Sequence, residues 1–317
     1  MKKSISDLKT ADRIEITTIV DNFSDVLLPG NETITRPPLA RGEHIQNTTL
    51  LAEHGLCLLV KVYTGKQIHS ILLDAGYTNV AVPHNLKYLG ISLEGLDALI
   101  LSHGHMDHTG ALREILELSG SGTRLVVHPD AFAPRSLQLP SGSRLSFPPF
   151  PANETLEQWG ADVMENKSPL LLGEGSVLVT GEIPRVTAFE KGMPGALIRH
   201  GGEPVRDTFA DDQSIVIDLK DKGLVVISGC AHSGIINSVF YARELTGRRN
   251  ICAVIGGFHL SGQAMAPIVG PTIEALKKMS PQMISPMHCT GFGTISRLAK
   301  EMPDAFVLNS VGTRINL

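Results

Sequence analysis

Four side chains that ligate metals fall within six consecutive positions: His103, His105, Asp107 and His108, in the segment His-Gly-His-Met-Asp-His. Imidazole nitrogen and carboxylate oxygen are the donors that divalent zinc, manganese and iron take. The segment follows Ser102 and the apolar run Leu96–Leu101, so it starts where a buried strand runs out into a loop. Such a loop can turn His103 and His105 toward one metal. Asp107 and His108, opening the next helix, then face a second. Two ions ~3.5–4 Å apart can hold a bridging hydroxide.

Other residues of the right type are scattered along the chain. Three histidines each follow a strand-like run and sit among small residues that let backbone pack closely. They are His232 in Gly-Cys-Ala-His-Ser-Gly, His259 in Gly-Gly-Phe-His-Leu, and His288 in Pro-Met-His-Cys-Thr-Gly. All three are candidate metal ligands, and His259 is also a candidate substrate contact or proton donor. Cys230 can offer a thiolate to zinc or line the substrate pocket. Asp211 and Asp212 are further carboxylate candidates. Glu53 and His54 are candidates for lining the pocket. Arg36, Arg41 and Lys191 lie in loops from which a cation can reach a phosphate. His44, His69, His128 and His200 lack such settings.

His-x-His-x-Asp-His at a strand-to-helix junction resembles the signature of the metallo-β-lactamase superfamily. Leu72-Leu73-Asp74-Ala75-Gly76 resembles its upstream Asp-x-Gly turn. The resemblance implies that Asp74 orients the metal ligands by hydrogen bonding, and it places Asp107, Asp74 and His259 among the catalytic residues. The sequence also departs from the common pattern. Most hydrolases of the group carry a Gly-His-x-x-Gly segment, and an aspartate bridges their metals after a later strand. Here Cys230 stands at that place, with His232 two residues on. An ordered set then narrows the resemblance: Val20-Asp21-Asn22, Ala52 to Cys57, Ser102 to His105, Gly229 to Gly234, Gly257 to Leu260, and His288 to Gly291. Together these look like the branch named for dihydropterin-6-methyl-ribofuranosylaminobenzene 5′-phosphate synthase, over about residues 14–315. That branch implies a pterin diphosphate substrate, with an aromatic carbon displacing diphosphate from a methylene. Other members are metal-dependent hydrolases.

The elements that must position these residues are legible from periodicity. Alternating or apolar β-branched runs predict strands at 13–22, 56–63, 69–73, 96–101, 124–128, 176–180, 214–218, 223–228, 252–255 and 282–286. Thr64-Gly65-Lys66 and Asp221-Lys222-Gly223 mark hairpin turns. Helical spacing appears at about 82–89, 109–118, 235–246 and 273–279. Residues 23–47 read as a long loop. Residues 129–175, rich in Pro, Ser and Gly, read as an insertion or lid within a single domain of residues 1–317. Strands gathered in two halves, each closed by helices, suit an α/β (α+β) fold of four layers, an αββα sandwich.

Composition sets the outer limits. The chain has 317 residues, 42% hydrophobic and 19% charged, with a net charge of −4. This mild acidity gives no footprint for nucleic acid or an anionic membrane. No run approaches the ~18 apolar residues of a membrane span, and no apolar segment follows Lys2 and Lys3 as a secretory signal would require. Four separated cysteines suggest neither disulfides nor a zinc knuckle, so a cytoplasmic setting is expected. The partner expected is a small molecule, possibly phosphorylated, and a homodimer is left open. The expected cofactor is two divalent metals, zinc first, with manganese or iron as alternatives. A generic ester, phosphodiester or lactam hydrolase, or a non-catalytic metal-binding protein, is the competing reading. A closed structural zinc site needs four ligands, and this chain offers more.

Overall fold

The computed structural model describes Ile5 and residues 7–317, apart from the Arg41 side chain. Lys2 and Lys3 of the N-terminal reading, and the Arg41 cation, therefore lie outside the described residues.

Alternating apolar side chains build the first sheet. β1 (Arg13–Val20), β2 (Cys57–Thr64) and β3 (Gln67–Leu73) run antiparallel, with Val60 opposite both Ile16 and Ile71. β4 (Ala98–Ile100), β5 (Thr123–Val127) and β6 (Ala161–Glu165) then add in parallel beside β3. Parallel neighbours need long crossovers. Helices α1 (Ala81–Leu89) and α2 (Leu112–Ser119) lie within the first two, and α3 (Asn153–Gln158) precedes β6.

In the second sheet, β7 (Leu170–Leu172), β8 (Val177–Val179), β9 (Ser214–Leu219) and β10 (Gly223–Ser228) are antiparallel. β11 (Ile251–Gly257) and β12 (Met283–Met287) continue it in parallel, through α4 (Ile235–Thr246) and α5 (Ala266–Met279). After α6 (Phe292–Glu301), β13 (Arg314–Asn316) returns to the first sheet beside β1.

The pleat sorts side chains into three apolar layers. On β10, Val225 and Ile227 meet Val60, Ile71 and Ile100 between the sheets. Leu224 and Val226 turn outward to Ile235, Val239 and Ile273 on α4 and α5. Leu59, Leu72 and Leu99 face Val82, Leu86, Leu112 and Ile115 of α1 and α2 on the other outer side. Three cores between four layers make the αββα sandwich. Each fully buried Val, Leu or Ile contributes about 1.5–3 kcal/mol of transfer free energy.

Several boundaries differ from the sequence expectation. Asp107 and His108 do not open the next helix. They lie on a separate 3₁₀ turn, Met106–His108, and α2 starts only at Leu112. The intervening Gly110 packs on the chain at Tyr77, whose carbonyl oxygen would lie 2.0 Å from any Cβ added there. The helix expected at 273–279 begins at Ala266, with Pro267 in its first turn and Pro271 inside it. Those prolines hid its first half. α6 was missed although Ile295 and Leu298 mark an amphipathic face, and the short α3 and β13 had no strong periodic signal. Residues 129–175 are shared out: β6 and β7 join the two main sheets, while the hairpin Arg135–Gln138/Arg144–Ser146 pairs with Ala196–Ile198 and Val205–Arg206 in a separate sheet.

Candidate metal centre

The site forms where parallel strands end. Asp74 follows β3, the segment 103–108 follows β4, Cys230 and His232 follow β10, His259 follows β11, and His288 follows β12. β3 is parallel to β4, and β10 to β11 to β12, so these loops leave each sheet at one edge. The sandwich brings the two edges together. The turns there are tight: Asp74, Ala231, His259 and His288 all have positive φ, from 46° to 64°. Left-handed backbone at non-glycine residues is costly and clusters at functional sites. Gly229 is needed for close approach, since a Cβ there would lie 2.0 Å from Ser102 Oγ and 2.7 Å from Asp74 Oδ2.

Asp74 organises His103 and His108. Its Oδ1 accepts from the Ser102 amide (2.7 Å), and its Oδ2 from Ser102 Oγ (2.8 Å). The Ser102 hydroxyl proton is thereby used, so Ser102 Oγ, 2.9 Å from His103 Nδ1, acts as the acceptor of an Nδ1–H. His108 Nδ1 lies 2.6 Å from the same Asp74 Oδ2 and donates to it. In the neutral form, both rings then turn an Nε2 lone pair inward. His108 Nε2 faces Cys230 Sγ at 3.2 Å and Asp107 Oδ2 at 3.8 Å. His103 Nε2 faces His232 Nε2 at 3.2 Å. His288 Nε2 lies 3.3 Å from Asp107 Oδ2, and His105 Nε2 is buried without a hydrogen-bond partner.

Among the described residues, ligand atoms converge in three sets, each within 4.8 Å: Asp107, His108, Cys230 and His288; His103, Cys230 and His232; and Cys230, His259 and Cys289. His105 stands beside the second set, its ring 4.5 Å from that of His103 and 4.9 Å from that of His232. Lone pairs, a carboxylate and a sulfur facing one another across a buried space repel unless a cation or proton lies between them. The donor set therefore fits divalent metal ions.

The electrostatics divide the donor set. Burial, then the neighbouring imidazoles, holds His103 and His232 well below the ordinary histidine value. Burial, with Arg135 next, takes His105 down to about 3. Such rings are neutral near pH 7, the state a ligand must have. Burial would also lower His108, but Asp74 and Asp107 beside it raise it to about 9. Burial would raise Asp107, but His108 and His288 outweigh it and keep the carboxylate ionised. Burial is also what raises the Cys230 thiol.

The expected residues thus separate. His103, His105, Asp107, His108, His232 and His288 meet in one buried cluster with Cys230, and His259 joins its edge. Cys230, read in sequence as a zinc thiolate or a pocket residue, lies among the candidate ligand atoms. His54 is at the mouth, 63% exposed, with Nε2 3.8 Å from Asp107 Oδ2. Glu53, expected to line the pocket, has a carboxylate that accepts from the Tyr77 and Thr78 amides and from Thr78 Oγ1, which ties that loop. Asp211 accepts from the Gly104 amide and pairs with Arg135, while Asp212 accepts from the His232 and Ser233 amides. Both carboxylates position ligand loops. Arg36 donates to Leu308 O and Thr313 Oγ1.

Sequence reasoning missed Arg135, a buried guanidinium held by Asp207 and Asp211 at 2.7 Å each. It also gave no role to Asp21 and Asn22, which bond the His288 amide (2.9 Å) and Nδ1 (3.1 Å). Phe209, stacked 4.2 Å from His232, and Cys289 were missed too. Asp21-Asn22 and Cys289 adjoin motif residues, which was the available signal. Arg135 and Phe209 had none.

The fold is that of the metallo-β-lactamase class, with a candidate metal centre at its sheet edge. The family model of the metallo-beta-lactamase superfamily matches residues 52–187. The chain belongs to that superfamily. It is 30% identical over 263 residues to the 7,8-dihydropterin-6-methyl-4-(β-D-ribofuranosyl)-aminobenzene-5′-phosphate synthase of Methanocaldococcus jannaschii, covering 82% of this chain and 88% of that one. An uncharacterised protein of the same organism is 30% identical over 269 residues, covering 84% of this chain and 94% of its own. A crystal structure described as a metal-dependent hydrolase of the β-lactamase superfamily superposes with a TM-score of 0.71 at 22% identity, covering 96% and 98% of the two chains. That likeness supports the fold. Among the described residues, no helix is long and apolar enough to cross a membrane.

Proposed function

We propose that this chain is a metal-dependent enzyme with a dinuclear centre, acting on a small phosphorylated or pterin-like molecule by displacement of diphosphate. One observation carries the reading: seven donors from both sheets converge in a buried cluster, with the His103 and His108 lone pairs turned inward by Asp74. Metals bound there supply Lewis acidity and neutralise the charge of a departing diphosphate. The synthase relative suggests the substrate class.

The chain's own residues have distinct tasks in this reading. Asp74 fixes the tautomers of His103 and His108. Asp107 remains anionic and orients toward both His108 and His288. His259 borders the cluster on one side and a cavity of about 510 Å³ on the other, lined by Leu137, Pro140, Met193 and Met265. The apolar walls suit a flat aromatic ring. His259 Nδ1, buried with no hydrogen-bond partner, is available to hold or pass a proton at the leaving oxygen. Lys191, exposed two residues before Met193 of this wall, is a candidate phosphate contact. Four buried, unpaired cysteines suit a reducing, cytoplasmic setting.

The test combines metal analysis with turnover. Protein purified without added metal is assayed for metal content by plasma mass spectrometry. It is then assayed for diphosphate release from a hydroxymethyl-dihydropterin diphosphate, with and without a ribofuranosylaminobenzene phosphate. Two metals per chain and acceptor-dependent release support the proposal. Release without acceptor turns the assignment to a hydrolase. No release with intact metal returns it to a metal-binding protein.

A further inference from the structure

We infer that Cys230 is a shared thiolate ligand, standing between the two metal positions. The inference rests on the dinuclear reading above and concerns which atom links its two halves. Among the described residues, Cys230 is the one residue common to all three sets of converging donors. Its Sγ is within 4.8 Å of the donor atoms of Asp107, His108 and His288 on one side, and of those of His103 and His232 on the other. It is 2% exposed, and His108 Nε2 points at it from 3.2 Å. The neighbouring His288 Nε2, also buried, lies 3.3 Å from Asp107 Oδ2 in the same converging set.

The competing bridges are otherwise engaged. Asp212 holds the His232 and Ser233 amides at 3.0 and 2.8 Å. Asp211 holds the Gly104 amide at 2.9 Å and Arg135 at 2.7 Å. Neither carboxylate belongs to a converging set, and Asp107 belongs to only one. Cys289 belongs only to the third set, with His259, and its Sγ is 3.5 Å from the Cys230 carbonyl oxygen. On metal binding the Cys230 thiol loses its proton to solvent and its sulfur takes the metal bonds. A thiolate at the shared position selects zinc, cobalt or iron(II) over magnesium and manganese, because soft donors favour the softer ions.

The metal-free full-length protein is titrated with cobalt(II) and followed in the near-ultraviolet, where thiolate-to-cobalt charge transfer absorbs. Bound cobalt is counted in parallel. Wild type is expected to take two cobalt ions and show the charge-transfer band. Cys230→Ser should lose the band and bind about one ion fewer. Cys230→Asp should recover two ions without the band, and Cys289→Ser should keep both. Zinc should displace cobalt, whereas magnesium at the same concentration should not. Two bound cobalt ions with no band in wild type would overturn the shared thiolate while leaving the dinuclear reading intact. So would a band that survives Cys230→Ser and disappears in Cys289→Ser. A wild-type protein that binds no cobalt would overturn both.

Discussion

At the scale of single residues, the site is governed by which nitrogen of each imidazole carries a proton. Asp74 decides this for two rings at once, directly for His108 and through Ser102 for His103. Asp74→Asn replaces one acceptor oxygen with a donor, so at least one of those bonds must break. Metal affinity should fall about 10–100-fold, as for other substitutions behind a ligand, while the melting temperature of the metal-free protein changes less. Competition with a chromophoric chelator measures the first, and unchanged affinity would remove Asp74 from this role. The buried imidazoles also predict the pH behaviour of the metal-free protein. His103, His105 and His232 have folded values below the ordinary 6.5, so the unfolded chain binds protons that the folded chain excludes. Their contribution is present above pH 6.5 and is lost as pH falls below it, by about 1.4 kcal/mol per pH unit for each ring. His108, raised to about 9, acts in the opposite sense: its contribution is complete below 6.5 and is lost between 6.5 and about 9. Denaturant melts of chelator-treated protein should show a midpoint that declines on both sides of pH ~6.5. A midpoint constant from pH 5 to 6.5 would contradict the burial of these rings.

At the scale of elements, the hairpin 135–146 does more than cover the site. Its Arg135 lies between Asp207 and Asp211, and Asp211 in turn holds the Gly104 amide between His103 and His105. A separate sheet is thereby coupled to the backbone of the metal-binding loop. Arg135→Ala would leave two buried carboxylates uncompensated, at a cost of about 3–5 kcal/mol, and would loosen His105. The Arg135→Met, Asp207→Leu, Asp211→Asn triple variant should recover much of the stability, since it removes the charges together. Thermal melts compare the two. Equal melting temperatures for wild type and Arg135→Ala would show that the ion pairs are not structural.

At the scale of the whole molecule, stability and chemistry are separable. The three apolar layers lie between sheets and helices, and of the proposed ligands none belongs to them. The ligands sit in loops at one edge. Removing metal should therefore leave the circular dichroism of sheets and helices unchanged. The melting temperature should fall by several degrees, because a ligand present at 100 times its dissociation constant stabilises by about 2.7 kcal/mol. Loss of secondary structure on chelation would mean instead that metal binding and folding are one event.

The sequence by itself determined the layers and pointed to most of the candidate ligands. Period-two and apolar runs are local signals, and each is long enough on β1, β2, β9 and β10 to mark a strand. Likewise His103, His105, Asp107 and His108 are close along the chain, so their joint purpose is visible without a fold. What only the tertiary structure decided was which distant residues complete the site and which are merely near it. Cys230, 122 positions from His108, lies 3.2 Å from it because two sheets pack with their strand ends aligned. Glu53, Asp211 and Asp212 look equally suited to a site by type, but their oxygens are taken by backbone amides, and a loop's hydrogen bonds cannot be read from its composition. Arg135 is assigned the same way: its meaning depends on two aspartates more than 70 residues away, and only packing brings the three together.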